Sequence, residues 1–218
     1  MQRKYSPLNQ SLHWITALCM FAILSLGWVM VNAKEGTALS SALFNWHKTL
    51  GMIVLLVTAF RIVWRFFDKP PAYPPEVAAW DRMLANIVYW LFFATLLWMP
   101  ITGFLSSAYG GHATKLFNAI PTPQLFAPDK QLGETFGGLH LLGQWAVYAL
   151  IGLHLSAVAF HLIWGHDGVL GRMLPADAAE PATPGARAPD RDRPERAPDR
   201  QRSPAGLRPS TSMRSNTL

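Results

Sequence analysis

An all-α integral membrane protein, a four-helix bundle with cytoplasmic N- and C-termini, is the fold this sequence predicts, and three features predict it. Half of the 218 residues are hydrophobic and 15% are charged. The apolar residues gather into four runs, about 12–31, 47–64, 84–106 and 139–164, each near the ~20 residues that cross ~30 Å of hydrocarbon. Trp14, Trp28, Trp46, Trp64, Trp80 and Trp164 lie at or near the run ends, where amphipathic rings favour the lipid–water interface.

The first helix begins at Ser6-Pro7, which reads as an N-cap followed by proline at the first helical position. His13 then falls about two turns in, near the cytoplasmic face. Val31-Asn32-Ala33 loosely resembles a signal-peptidase site, but the apolar stretch before it is longer than a signal-peptide core, so residues 1–33 are expected to remain as a span. The single Cys19 lies inside that span, which excludes a disulfide framework.

The second run starts at His47 and ends among Arg61, Trp64 and Arg65. Asp68-Lys-Pro-Pro-Ala-Tyr-Pro-Pro75 then forbids helix, because proline removes donors and clashes with the preceding turn, and forms a stiff connector. Between the third and fourth runs, residues 108–134 form a longer loop with Gly110-Gly111, Pro121, Pro123 and Pro128. Its Leu116, Phe117, Leu125 and Phe126 suit the membrane surface. Arg3, Lys4, Arg61, Arg65, Lys69, Arg82 and Arg172 flank one side of the bundle, against Lys34, Lys48, Lys115 and Lys130 on the other. The positive-inside rule makes the first side cytoplasmic and the loop periplasmic, as in a bacterial inner-membrane protein.

The domain division is 1–175 for the bundle and 176–218 for a disordered cytoplasmic tail rich in Arg, Pro and Asp. The tail carries the near-repeat Arg187-Ala-Pro-Asp-Arg191 and Arg196-Ala-Pro-Asp-Arg200, and its arginines alternate with Asp190, Asp192, Glu195 and Asp199. That mixture weakens any net field, so the formal charge of +6 says little about substrate. Lipid is the expected partner and nucleic acid is not.

Histidines inside the apolar runs carry the functional argument. An ionisable side chain in a bilayer is costly and marks a candidate site. His140 and His154 are fourteen residues apart on the fourth run, a spacing that returns to within about 40° of the same helical face and advances about 21 Å. Depth alone pairs His13 with His154 at the inner level and His47 with His140 at the outer level. Each pair would fill both axial positions of a haem iron and leave no open site, which is the arrangement of one-electron transfer. Two haem groups are therefore expected.

Small residues lie near each ligand: Ala17 after His13, Gly51 after His47, Gly137 and Gly143 around His140, and Ala157 after His154. They admit either a flat macrocycle or close helix packing. Arg61 and Arg65 suit haem propionates or positive-inside anchoring, and Lys48 could serve the outer haem. His161, two turns beyond His154, is an alternative ligand or a polar group beside the inner haem, whereas His112 and His166 read as surface residues. A histidine-based metal transporter is the alternative of another class, but such a route normally uses carboxylates and none of the four runs contains Asp or Glu.

Lys4-Tyr-Ser-Pro-Leu-Asn-Gln-Ser-Leu-His-Trp14, Trp46-His47 with Gly51, Arg61 through Arg65 with the Pro-Pro connector, Pro100-Ile-Thr-Gly103, and Gly152-Leu-His154 leading to His161 and Arg172-Met-Leu-Pro175 together resemble the prokaryotic cytochrome b561 family. These are four-helix dihaem membrane cytochromes that include a superoxide:ubiquinone oxidoreductase. The resemblance covers roughly residues 4–175. It implies two b-type haem groups on His13, His47, His140 and His154, and a quinone near the inner haem, where His161 falls. Many relatives carry a histidine early in helix 3, where this chain has Ala85 and Asn86 before Tyr89.

Electron transfer between the periplasmic side and the membrane quinone pool is the expected function, with ubiquinone as acceptor and superoxide or another periplasmic donor as source. Superoxide would be helped by a positive approach near Lys48, Lys115 or Lys130. A cytochrome b subunit relaying electrons for a larger dehydrogenase complex is the alternative within haem chemistry.

Overall fold

The computed structural model describes residues 4–73, 77–112, 114–165 and 170–174. The tail at 176–218, the last two prolines of the connector, Arg3, His166 and Pro175 lie outside the described residues.

Four helices are long and apolar enough to cross a membrane: α1 Pro7–Asn32, α2 Ala38–Phe67, α3 Ala79–Tyr109 and α4 Lys130–Phe160. At 26 to 31 residues they measure about 39 to 46 Å, more than the hydrocarbon alone requires. The surplus lies mainly at the starts of α2 and α4, each of which begins nine residues before its apolar run. Side-chain caps set those starts. Thr37 accepts from the Ser40 amide at 3.2 Å, and Asp129 accepts from the Leu132 amide at 3.0 Å, satisfying amides that a helix leaves without partners. Ser6 caps α1 in the same way, accepting from the Asn9 amide at 3.3 Å with Pro7 behind it. The turn from α1 to α2 is closed by Gly36 at φ +73°, a conformation that a side chain would strain.

Consecutive helices pack on one another, most extensively α3 on α4, whereas α1 and α4 hardly touch among the described residues. Most large apolar side chains face outward; Phe21, Phe66 and Phe67 are 75–76% exposed. In water such a surface would aggregate, and in lipid it is the solvent-facing side. The interior holds a few apolar side chains, among them Val54, Phe93, Leu96 and Val147, and beside them small hydroxyl residues: Thr16, Ser40, Thr49, Thr58, Thr102 and Ser107 are buried. Thr16, Thr49 and Thr102 each donate to the carbonyl four residues earlier, which satisfies their hydroxyls at close helix contact, whereas the buried Thr58 hydroxyl has no hydrogen-bond partner.

The connection from α3 to α4 carries a short antiparallel hairpin, β1 Lys115–Leu116 and β2 Ile120–Pro121, with Leu116 opposite Ile120 and Lys115 opposite Pro121. Phe117 and Asn118 at its tip hold φ of +53° and +58°. The tip is docked on the start of α2: the Phe117 amide donates to Thr49 Oγ1 at 2.9 Å, Asn45 Nδ2 donates to Asn118 Oδ1 at 2.9 Å, and the Phe117 ring meets Trp46. Those contacts hold a bulky residue in a left-handed conformation that it would otherwise avoid.

At the opposite end, where α1 starts, three distant stretches of chain meet. Asp68 accepts from Ser6 Oγ, from Asn9 Nδ2 and from Trp64 Nε1. Past α4, a π-helical turn His161–Gly165 and a 3-10 turn Leu170–Arg172 follow, and Arg172 is buried with its guanidinium donating to the Pro71 and Ala72 carbonyls at 2.8 and 3.0 Å. Its own carbonyl accepts from the Tyr5 amide and from Gln10 Nε2. The N-terminal segment, the Pro-Pro connector and residues 170–174 are thus tied into one polar base.

Candidate functional site

The two histidines on α4 each meet one partner on another helix. The centre of the His154 ring lies 6.3 Å from that of His13 on α1, and that of His140 lies 6.1 Å from His47 on α2. Two imidazoles on opposite sides of one metal ion, each nitrogen about 2 Å from it, have ring centres roughly 6 to 6.5 Å apart. Both pairs stand at that separation. Among the described residues no group of three or more His, Cys, Asp or Glu side chains converges on a metal position; the four histidines stand in twos, and two is the number of axial positions on a haem iron.

The pair near the hairpin faces an apolar cavity walled by all four helices, with Gly27 and Trp28 from α1, Gly51 from α2, Pro100 from α3, and Gln144 and Tyr148 from α4. Trp28 Nε1 donates to the Tyr148 hydroxyl at 3.0 Å, which bridges the weakly packed α1–α4 side. His47 Nδ1 is buried with no hydrogen-bond partner of normal geometry. His140 Nδ1 donates to the Met99 carbonyl at 2.9 Å, which leaves Nε2 free for a metal. Facing rings at a two-ligand spacing, an orphaned ring nitrogen and an adjoining apolar cavity together fit a haem.

Near the terminal end, the His13 ring also meets Trp14, and His154 meets the edge of Phe92. Arg61 reaches this level from α2: its Nη1 donates to Thr16 Oγ1 at 3.3 Å, and its guanidinium stands 5.5 Å from the centre of Phe93. Arg65, one turn further along, stacks over Tyr89 at 4.3 Å and beside Trp90 at 5.6 Å. Neither arginine has a carboxylate partner among the described residues, so both charges are carried by aromatic faces and a hydroxyl. His161 opens the π-helical turn and packs against Phe160; such single π turns recur at functional sites.

Lys48 Nζ donates to Thr114 Oγ1 at 3.1 Å and is partly buried, while Lys130 pairs with Glu134 at 3.8 Å on the surface. Of the three lysines expected to attract anions, Lys130 therefore has its charge offset locally, and Lys115 is exposed. His112 is exposed, as a surface residue.

Two of the five small residues read ambiguously from the sequence now have definite neighbours. A side chain on Gly143 would strike Met99 Sδ and Trp98, and one on Gly137 would press on Ser106; both serve the packing of α4 on α3. Gly51 lines the cavity. Sequence reasoning passed over Met99, Thr102 and Gly103, which surround the His140 ring from α3; their only signal was the motif Pro100-Ile-Thr-Gly103, to which no role was attached.

Four apolar helices that hold histidines in two facing pairs define a helical membrane protein of the cytochrome b class. The family model for prokaryotic cytochrome b561 matches residues 4–176, and the chain belongs to that family. Cytochrome b561 homolog 2 of Escherichia coli (strain K12) is 24% identical over 171 residues, covering 78% of this chain and 91% of the relative. Cytochrome b561 homolog 1 of the same organism is 25% identical over 178 residues, covering 79% and 97%. Family membership implies haem b binding and electron transfer in a membrane.

Proposed function

We propose that this chain binds two b-type haem groups, one between His47 and His140 and one between His13 and His154, and carries electrons between the periplasmic side of the bacterial inner membrane and the quinone pool. The observation that carries the reading is the spacing of both histidine pairs at the span of two axial ligands on one iron. A haem held by both histidines of a pair would supply a one-electron couple. The four histidines hold the iron, and the lipid-facing surface keeps water from the site.

Positive-inside counting puts the polar base and both termini in the cytoplasm, so His13 and His154 form the inner pair. Arg61 and Arg65 bring positive charge to that level and balance haem propionates there. His161, at the cytoplasmic end of α4, stands where a quinone headgroup arriving from lipid would find a proton donor, and ubiquinone is the acceptor. On the outer side, superoxide is the donor that Lys48 and Lys115 would attract.

The test uses purified protein reduced with dithionite and then mixed anaerobically with a short-chain ubiquinone. Reoxidation of both haem groups is expected, with His161→Ala slowing it at unchanged haem content. Reduced protein that ubiquinone leaves reduced would contradict the quinone assignment. A superoxide-generating enzyme should in turn reduce the oxidised protein, more slowly in Lys48→Gln.

A further inference from the structure

The motif Pro100-Ile-Thr-Gly103 has no part in ligating iron, yet it lies against an axial ligand of the proposed outer haem. A Cβ added at Gly103 would stand 3.0 Å from both Cε1 and Nδ1 of the His140 ring, well inside the ~3.5–4 Å of favourable heavy-atom contact. The missing side chain is what allows the ring to lie flat on α3 and reach the Met99 carbonyl, four residues earlier on the same helix. Thr102 closes the third side: buried, it donates to the Trp98 and Met99 carbonyls and stands 3.5 Å from His140 Nδ1.

We infer that Met99, Thr102 and Gly103 form a socket on α3 that fixes the tautomer and orientation of His140 and so tunes the outer haem. This inference rests on the haem reading proposed above. The carbonyl can only accept, so it holds the proton on Nδ1 and directs Nε2 to the iron. An N–H···O=C bond to an axial imidazole also increases the ligand's basicity, which favours ferric over ferrous iron. His13 and His154 show no bond to a backbone carbonyl among the described residues, so the socket, with its bond from His140 to the Met99 carbonyl, acts on the outer haem alone. Gly103, Thr102 and Met99 are positioning residues: they act through His140.

Gly103→Ala must push the ring by about half an ångström to reach ordinary contact, which lengthens or breaks the bond to Met99. Gly138 supplies a control on α4, two residues before the same ligand, because nothing stands within 4 Å of a Cβ added there. The experiment is a spectroelectrochemical redox titration of both variants and the wild type, with haem content and thermal midpoint measured alongside. Gly103→Ala should raise the ratio of reduced to oxidised outer haem, at fixed ambient potential, by roughly 2- to 10-fold, the range expected for one net hydrogen bond. The inner haem should titrate unchanged in that variant, and Gly138→Ala should titrate as wild type.

Unaltered titration of both haem groups in Gly103→Ala would overturn the socket, as would an equal shift or equal loss of both. Thr102→Val supplies a second variant if Gly103→Ala expresses poorly, and it should shift the same haem. Wild-type protein without haem, or His140→Ala that keeps both, would overturn the cytochrome reading itself, and that failure shows before any socket variant is compared.

Discussion

At single residues the fold depends on polar side chains that tie distant stretches of backbone together. Thr49 is 1% exposed and serves twice, donating to the Asn45 carbonyl and accepting the Phe117 amide. Thr49→Val keeps the shape but leaves that amide without a partner, which should cost about 1–2 kcal/mol and speed hydrogen exchange at Phe117 and Asn118. An exchange rate at the hairpin tip equal to that of wild type would refute the docking role. Arg172 makes the corresponding point at the other end. Arg172→Ala removes the donors to Pro71 and Ala72 and should lower stability by about 2 kcal/mol, seen as a lower thermal midpoint in detergent and faster proteolysis in the connector. Neither role was legible beforehand, since a hydroxyl in an apolar run or an arginine after the last span carries no sign of which distant carbonyl it will meet.

Among the elements, the existence and order of the helices were legible, but two of their starts were not. Hydropathy locates the part of a helix that lies in hydrocarbon, and α2 and α4 extend nine residues past it through polar, capped turns. The caps Thr37 and Asp129 are readable signals once sought; the hydropathy argument gives them no weight. Glycine roles depended likewise on which helix faces which. Gly143→Ala should destabilise the bundle by about 1–3 kcal/mol through overpacking against Met99 and Trp98. Gly138→Ala, with nothing within 4 Å of the added carbon, should be neutral or gain up to about 1 kcal/mol from helix propensity. Thermal midpoints of the two variants in one detergent test the contrast, and equal losses would contradict the assigned α3–α4 contact. The hairpin stayed unreadable for a different reason: its left-handed residues are Phe117 and Asn118, and a phenylalanine does not announce a positive φ.

For the molecule as a whole, the histidine pairs were the most legible feature, because fourteen residues on one helix and the alternation of helix direction already select partners by depth. The structure adds the distances, and it adds the polar base that explains why widely separated motifs belong together. Lys4 to Trp14, the Pro-Pro connector and Arg172 converge at one end of the bundle, so their residue types answer to one another. Lipid is then part of the architecture, since the packed interior is thin and hydroxyl-rich while most large apolar side chains face outward. Held in this way, two pairs of imidazoles stand at two depths of the bundle, where the proposed haem groups would put a redox-capable group at each level.

The most direct test of that claim is the dithionite-reduced minus oxidised spectrum of detergent-purified protein, with haem and chain quantified together, for the wild type and for each of His13→Ala, His47→Ala, His140→Ala and His154→Ala. The account predicts two b-type haem groups per chain in the wild type, loss of one and the same haem from the His13 and His154 variants, and loss of the other from the His47 and His140 variants. Well-folded wild type without haem, or variants whose losses fail to sort into those two pairs, would contradict it.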